Sequence, residues 1–102
     1  LLLATAFVGP ARAECGIAST YHEGSRTASG EHYNPHGISA AHRTLPFGSR
    51  VVVRNQRTGR TIEVRINDRG PFIAGRIIDL SAGAMRALAG AAGLVPVCIE
   101  RR

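Results

Sequence analysis

The sequence predicts an all-β domain, a barrel or a sandwich, on three observations. From Gly16 onward most of the chain reads as short strands separated by turn signals. Two strand-like segments, the second strictly alternating, flank a short loop containing a glycine, and a single segment has helical spacing. At 102 residues the chain has room for one domain with one modest core, and it contains no internal repeat or low-complexity tract.

The elements follow in order. Gly16 to Tyr21 reads as the first strand, and Thr27 to Ala41, rich in glycine, proline and polar residues, as a long functional loop. Arg50 to Asn55 and Thr61 to Asp68 form the clearest hairpin, with Gly59 where such loops often need positive φ. In the second arm Ile62, Val64 and Ile66 share one face, while Glu63, Arg65 and Asn67 share the other. The same alternation carries Asp68 onto the apolar side at the strand's end. Arg76 to Leu80 is a further strand. Ser81 then serves as N-cap of a short alanine-rich helix that Gly90 stops. Val95 to Glu100 closes the domain, and Pro96 predicts that this strand starts late or lies on an edge.

Residues 1–13 form an apolar run followed by Gly9-Pro10 and Ala11-Arg12-Ala13, the small-x-small pattern of a secretory cleavage site. This is read as the remnant of a signal peptide, which leaves residues 14–102 as the domain. The run of roughly eight apolar residues is far short of the ~20 that a membrane-spanning helix needs, so no membrane span is expected. Cys15 would be the second residue after cleavage, and Cys98 lies near the end. Export and pairing support each other, predicting a disulfide that closes almost the whole domain. Arg12-Ala13-Glu14 does not resemble a lipobox, so no lipid anchor is expected.

All 13 basic residues are arginine against seven acids, a net charge of +6 that favours anionic partners: nucleic acid, acidic lipid or a carboxylate-bearing wall polymer. A nucleic-acid partner is not expected, because the chain lacks stacking aromatics in a basic strand motif and export conflicts with it. The spacings of His22, His32, His36 and His42 fit no common ligand motif, so neither a metal nor another cofactor is expected.

Six segments in order resemble the RlpA-like (rare lipoprotein A) family. They are Gly16-Ile-Ala-Ser-Thr-Tyr21, Thr27-Ala-Ser-Gly-Glu31, Ala40-Ala-His-Arg-Thr-Leu-Pro-Phe-Gly48, Arg65-Ile-Asn-Asp-Arg-Gly-Pro-Phe72, Gly75-Arg-Ile-Ile-Asp-Leu-Ser81 and Val95-Pro-Val-Cys-Ile-Glu100. The resemblance implies a six-stranded double-psi β-barrel with one or two short helices and a surface groove. It further implies a periplasmic or secreted, monomeric lytic transglycosylase acting on peptidoglycan glycan strands, with the cell-division machinery as a further partner. Where the family usually has a tryptophan, this chain has Thr20, and it has no tryptophan anywhere. Stacking on sugar rings then falls to Tyr21, Tyr33 and Phe72.

Cleaving a glycosidic bond requires a proton donor, usually a positioned carboxylic acid. Glu14, Glu23, Glu63 and Glu100 read as solvated surface residues, which leaves Glu31, Asp68 and Asp79. Asp68 stands before the sharp Arg69-Gly70-Pro71 turn, and by resemblance it is the catalytic aspartate. Glu31 is by resemblance the second acid and His42 the third member of one groove, with Arg43 and Thr44 beside it as substrate contacts. Asp79 is read as structural, buried and hydrogen-bonded to loop backbone. Arg54, Arg57, Arg60 and Arg65 are read either as a solvated face of the hairpin or as contacts to peptidoglycan carboxylates. A non-catalytic, expansin-like glycan-binding or wall-loosening module is the alternative function, because such proteins share the barrel and keep an acidic residue.

Overall fold

The computed structural model describes residues 13–21 and 26–102. Of the expected signal segment only Ala13 is among them, and His22 and Glu23 also lie outside the described residues.

Six strands and one helix follow one another: β1 (Ala13–Thr20), β2 (Ser39–Ala41), β3 (Arg50–Asn55), β4 (Thr61–Asp68), β5 (Arg76–Leu80), α1 (Ala82–Ala89) and β6 (Leu94–Arg101). The strands close into a barrel in the order β1-β5-β2-β4-β3-β6. The pairs β1/β5 and β2/β4 are parallel and the rest antiparallel, so the expected closed, six-stranded double-psi barrel is the architecture, with one short helix. Its interior is filled by Val51, Val53, Val64, Ile66, Ile78 and Leu80, all at 1 % exposure or less. Every strand thus pairs with a neighbour on each side over at least part of its length.

The hairpin forms as its turn chemistry requires. Gly59 adopts φ 80°, the Asn55 side chain accepts from the Arg57 amide at 2.8 Å, and the Asn55 amide donates to the Arg60 carbonyl at 2.8 Å. At α1 the Ser81 hydroxyl accepts from the Ala84 amide and donates to the Gly37 carbonyl, and the Gly90 amide closes the far end on the Arg86 carbonyl. Ala84, Met85 and Leu88 face the barrel.

Two expectations are corrected. The loop between Thr27 and Ala41 ends in strand β2, whose three residues, Ser-Ala-Ala, carry no strand propensity of their own; they are held between β4 and β5. Pro96 neither delays β6 nor sits on an edge. Its carbonyl accepts from the Gln56 amide, and a strand residue's N–H and C=O point to the same side. The missing donor therefore faces the β3 side, just past the last β3/β6 pair, Asn55 with Val97. The expected Cys15–Cys98 disulfide is present, joining directly opposed residues of β1 and β6 where the barrel closes.

Candidate active site

The site is built around the short strand β2. Ala41 pairs with Asp68 of β4 on one side and with Asp79 of β5 on the other, and Asp79 in turn pairs with Ser19 of β1. Ser19, Asp79, Ala41 and Asp68 thus form one row across four adjacent strands, and a register shift in β2/β4 between Ala40 and Ala41 brings Asp68 into it. Cross-strand partners project to the same side of a sheet, so this row places both carboxylates in one neighbourhood.

Asp68 Oδ1 accepts from the amides of Ala28 and Arg69, each at 2.8 Å. Among the described residues no group donates to Oδ2. The same loop is fixed by Glu31: the Thr27 amide and hydroxyl both donate to the Glu31 carbonyl, and the Ser29 amide donates to the Asn67 carbonyl. The Glu31 carboxylate receives two 2.7 Å hydrogen bonds from Arg65 and one of 3.3 Å from Asn67. The bidentate Arg65 fork, helped by Asn67, holds its carboxyl down at about 2, so Glu31 is an anion throughout the physiological range. Glu31 and Asp68 therefore meet on the Thr27–Glu31 turn.

His42 is placed differently. Its backbone amide donates to the Asp68 carbonyl, which ties it to the acid's backbone. Its ring turns elsewhere: Nδ1 accepts from the amides of Thr44 and Leu45, and Nε2 lies 2.9 Å from the Glu14 carboxylate. With Nδ1 occupied as an acceptor, the proton sits on Nε2 and is donated to Glu14. The ring is buried at one edge of a cavity of about 580 Å³ lined by Glu14, Thr44, Leu45, Ile99 and Arg101.

The remaining predicted contacts divide by how committed they are. Tyr33 donates to the Tyr21 carbonyl and accepts from the Ala82 amide, so its hydroxyl latches the loop to the start of α1. Its ring lies 4.6 Å from that of Tyr21. Arg43 donates to the carbonyls of Pro71 and Arg76 and braces the loop after Asp68. Thr44 is exposed beside the His42 cavity. Phe72 is the freest, 76 % exposed, with its ring beside Gly70. Asp79 accepts a short hydrogen bond from the Ser19 hydroxyl, a side-chain partner in place of the expected loop backbone. Arg65 leaves the expected hairpin cluster for Glu31, while Arg54 and Arg60 bond the carbonyls of Gly59 and Ala87.

Two participants, Glu14 and Phe47, were missed in the sequence reading, and Arg65 was given another partner there. Glu14, read as solvated, holds His42; its neighbour Cys15 is anchored on β6, which was the available signal. Arg65 was legible as outward-facing, but the loop that covers that face was not. Phe47, 42 % exposed, carries the Arg69 guanidinium 4.0 Å from its ring centroid.

Among the described residues no group of three His, Cys, Asp or Glu side chains is placed to hold a metal ion, and no helix is long and apolar enough to cross a membrane. Residues 13–99 match the profile of the family described as lytic transglycolase. The chain belongs to this family. Among curated relatives of the RlpA-like barrel, the "Probable endolytic peptidoglycan transglycosylase RlpA" of Synechocystis is 60 % identical over 80 residues, 76 % of this chain and 25 % of that protein. Its namesake from Nostoc is 56 % identical over 91 residues, 83 % of this chain and 24 % of that one. The chain thus spans about a quarter of the length of these relatives. Among solved structures, the Streptomyces papain inhibitor superposes with a TM-score of 0.74 at 25 % identity, covering 88 % of this chain and 94 % of that one. The apo expansin of Clavibacter michiganensis gives 0.70 at 19 % identity, over 89 % of this chain and 50 % of that one, a likeness of fold.

Proposed function

We propose that this RlpA-like barrel is an endolytic peptidoglycan lytic transglycosylase, cleaving the β-1,4 bond between N-acetylmuramic acid and N-acetylglucosamine. The observation that carries the reading is the meeting of Glu31 and Asp68 on one turn inside the family match, with one carboxylate fixed as an anion and the other keeping an oxygen that no group among the described residues bonds. In this mechanism the Asp68 carboxyl gives its proton to the glycosidic oxygen, which leaves with the bonding pair. The muramyl C6 oxygen bonds to C1, and its proton returns to Asp68, giving a 1,6-anhydro product with no water consumed. Glu31, locked by Arg65, serves as the fixed negative charge near the developing oxocarbenium ion. His42, turned to Glu14, acts through its backbone bond to Asp68 as a positioning residue. Phe72 offers an exposed ring for a sugar face; Tyr21, Tyr33, Arg43 and Thr44 shape the surrounding surface.

The domain is proposed to work as a monomer outside the cytoplasm, in the periplasm or secreted, after removal of residues 1–13. Glycan strands are the substrate, and the division machinery is the proposed localising partner. A non-catalytic, expansin-like module is the second reading, favoured by the absence of tryptophan. Mass spectrometry of purified peptidoglycan digested with the protein separates them: anhydro-muramyl ends support the transglycosylase, reducing ends a hydrolase, and binding without release the expansin-like module.

A further inference from the structure

The arginines of the β3–β4 hairpin read either as a solvated face or as contacts to carboxylates, and α1 decides their setting. Arg57 and Arg60 of the hairpin loop and Arg86 of α1 line one cavity of about 490 Å³, with no carboxylate on its wall. Its apolar lining includes the buried Leu88 and Val95. Asn55, 2 % exposed, fixes the spacing of the two elements. Its side-chain amide donates to the Leu88 carbonyl at 3.1 Å and its side-chain oxygen accepts from the Arg57 amide at 2.8 Å, which bolts the loop to the last turn of the helix. The helix end itself accounts for one arginine only: the Gly90 amide bonds the Arg86 carbonyl, and Arg60 bonds the Ala87 carbonyl. Neither the Arg57 nor the Arg86 guanidinium has a hydrogen-bond or ion-pair partner among the described residues. Three permanent positive charges thus converge on one recess without a counter-charge, an arrangement that a bound anion relieves.

We propose that this cavity is a second binding site for peptidoglycan, separate from the Asp68 site, in which Arg57, Arg60 and Arg86 take a carboxylate carried by the wall polymer. The inference rests on reading peptidoglycan as the substrate. No aromatic ring lines the cavity, so it suits a charged arm of the polymer and not the face of a sugar. Guanidinium forks match the planar carboxylate with paired hydrogen bonds. Arg86 also lines an adjoining cavity of about 540 Å³ walled by Ala82, Met85 and Ala91, which leaves room for the small groups that flank the carboxylate. Strand β4 begins at Thr61, just past the hairpin loop, and ends at Asp68, so the arginines stand roughly 20 Å from the acid. One sugar ring does not span that distance. The arginines therefore engage another stretch of the polymer, strengthening its retention without touching the bond that is cut. Lactyl groups and stem peptides are the two sources of such carboxylates.

The test reads binding and needs no turnover. The side-chain Nε–H signals of Arg57, Arg60 and Arg86 are followed by NMR in the full chain against a muramyl saccharide with free lactyl carboxylates, the same saccharide carrying stem peptides, an uncharged N-acetylglucosamine oligomer and inorganic phosphate. At least one carboxylate probe is expected to move the signals to saturation, and which one does so names the source, while the uncharged oligomer leaves them in place. In cosedimentation with purified peptidoglycan at low salt, Arg57→Gln combined with Arg86→Gln is expected to bind about tenfold more weakly than wild type and to lose less of its binding as salt rises. Arg50→Gln combined with Arg102→Gln removes the same charge from the two partners of Glu63, outside the cavity, and is expected to stay within about twofold of wild type. Signals indifferent to both carboxylate probes, moved as far by the uncharged oligomer or moved by phosphate alone, or a cavity variant no weaker than the Arg50 and Arg102 control, would overturn the inference. The two readings fail separately: a wild type that neither binds nor cuts peptidoglycan removes the proposed function, whereas one that cuts it while the three arginine signals stay still removes the second site alone.

Discussion

Replacing Glu31 with glutamine removes the charge that Arg65 holds while keeping the side chain's size and some of its hydrogen bonding. Lowering a carboxyl from its ordinary 4.5 to about 2 would correspond to roughly 3 kcal/mol if the pair were sequestered from water. Both partners are about 40 % exposed, and solvent screening brings the figure down to about 1 kcal/mol. The folded-state value lies below the unfolded one, so this stabilisation is complete above about 4.5 and is lost as pH falls toward about 2. For a domain of this size that predicts a Tm lower by roughly 5 °C for Glu31→Gln at pH 7, closing to almost nothing near pH 2. Melting both proteins by calorimetry or circular dichroism from pH 7 to pH 2 tests it, since the other carboxylates cancel in the difference. A gap that stays constant over that range would refute the role given to Arg65.

Asp68→Asn is expected to reduce cleavage by about a hundredfold to ten-thousandfold, because asparagine cannot cycle a proton, and to melt near wild type because its Oδ1 can still accept from Ala28 and Arg69; near-normal cleavage by the folded variant would transfer the acid's role elsewhere. Replacing both cysteines by serine releases a link between residues 83 positions apart, and chemical denaturation should register a loss of up to about 4–5 kcal/mol; an unchanged midpoint would contradict this. Gly83→Ala should destabilise the domain by about 1–3 kcal/mol, although alanine favours helix, because the new methyl would stand 2.9 Å from the carbonyl oxygens of His36 and Gly37; a stabilised variant would show that the loop yields freely.

The long antiparallel and parallel strands were legible in the sequence because their residues enforce them. β3, β4 and β5 have the expected boundaries, set by alternation and by the Gly59 turn. β2 was not legible, since Ser39, Ala40 and Ala41 become a strand only by lying between two others. The candidate site followed the same division. Glu31 and Asp68 were singled out by motif, and the turn that unites them depends on hydrogen bonds across 34 to 40 positions of sequence. Arg65 faces outward by alternation as read, but outward on β4 means toward the Thr27–Glu31 loop, a relation that no local pattern encodes. The preference of the His42 ring for Glu14 likewise depends on where β1 begins, at Ala13, three residues before the expected start.

The pairing of Ala13 with Glu100 and of Cys15 with Cys98 also determines how the barrel bears mechanical load. Both ends of the described barrel lie at the same pole, so a force that pulls them apart peels β1 from β6 one pair at a time, the direction in which a ladder is weakest. Without residues 1–13 the peeling passes only Glu14–Ile99 before it meets the disulfide, and a covalent bond then carries the force. The link gives the oxidised domain a tensile tolerance that its reduced form lacks.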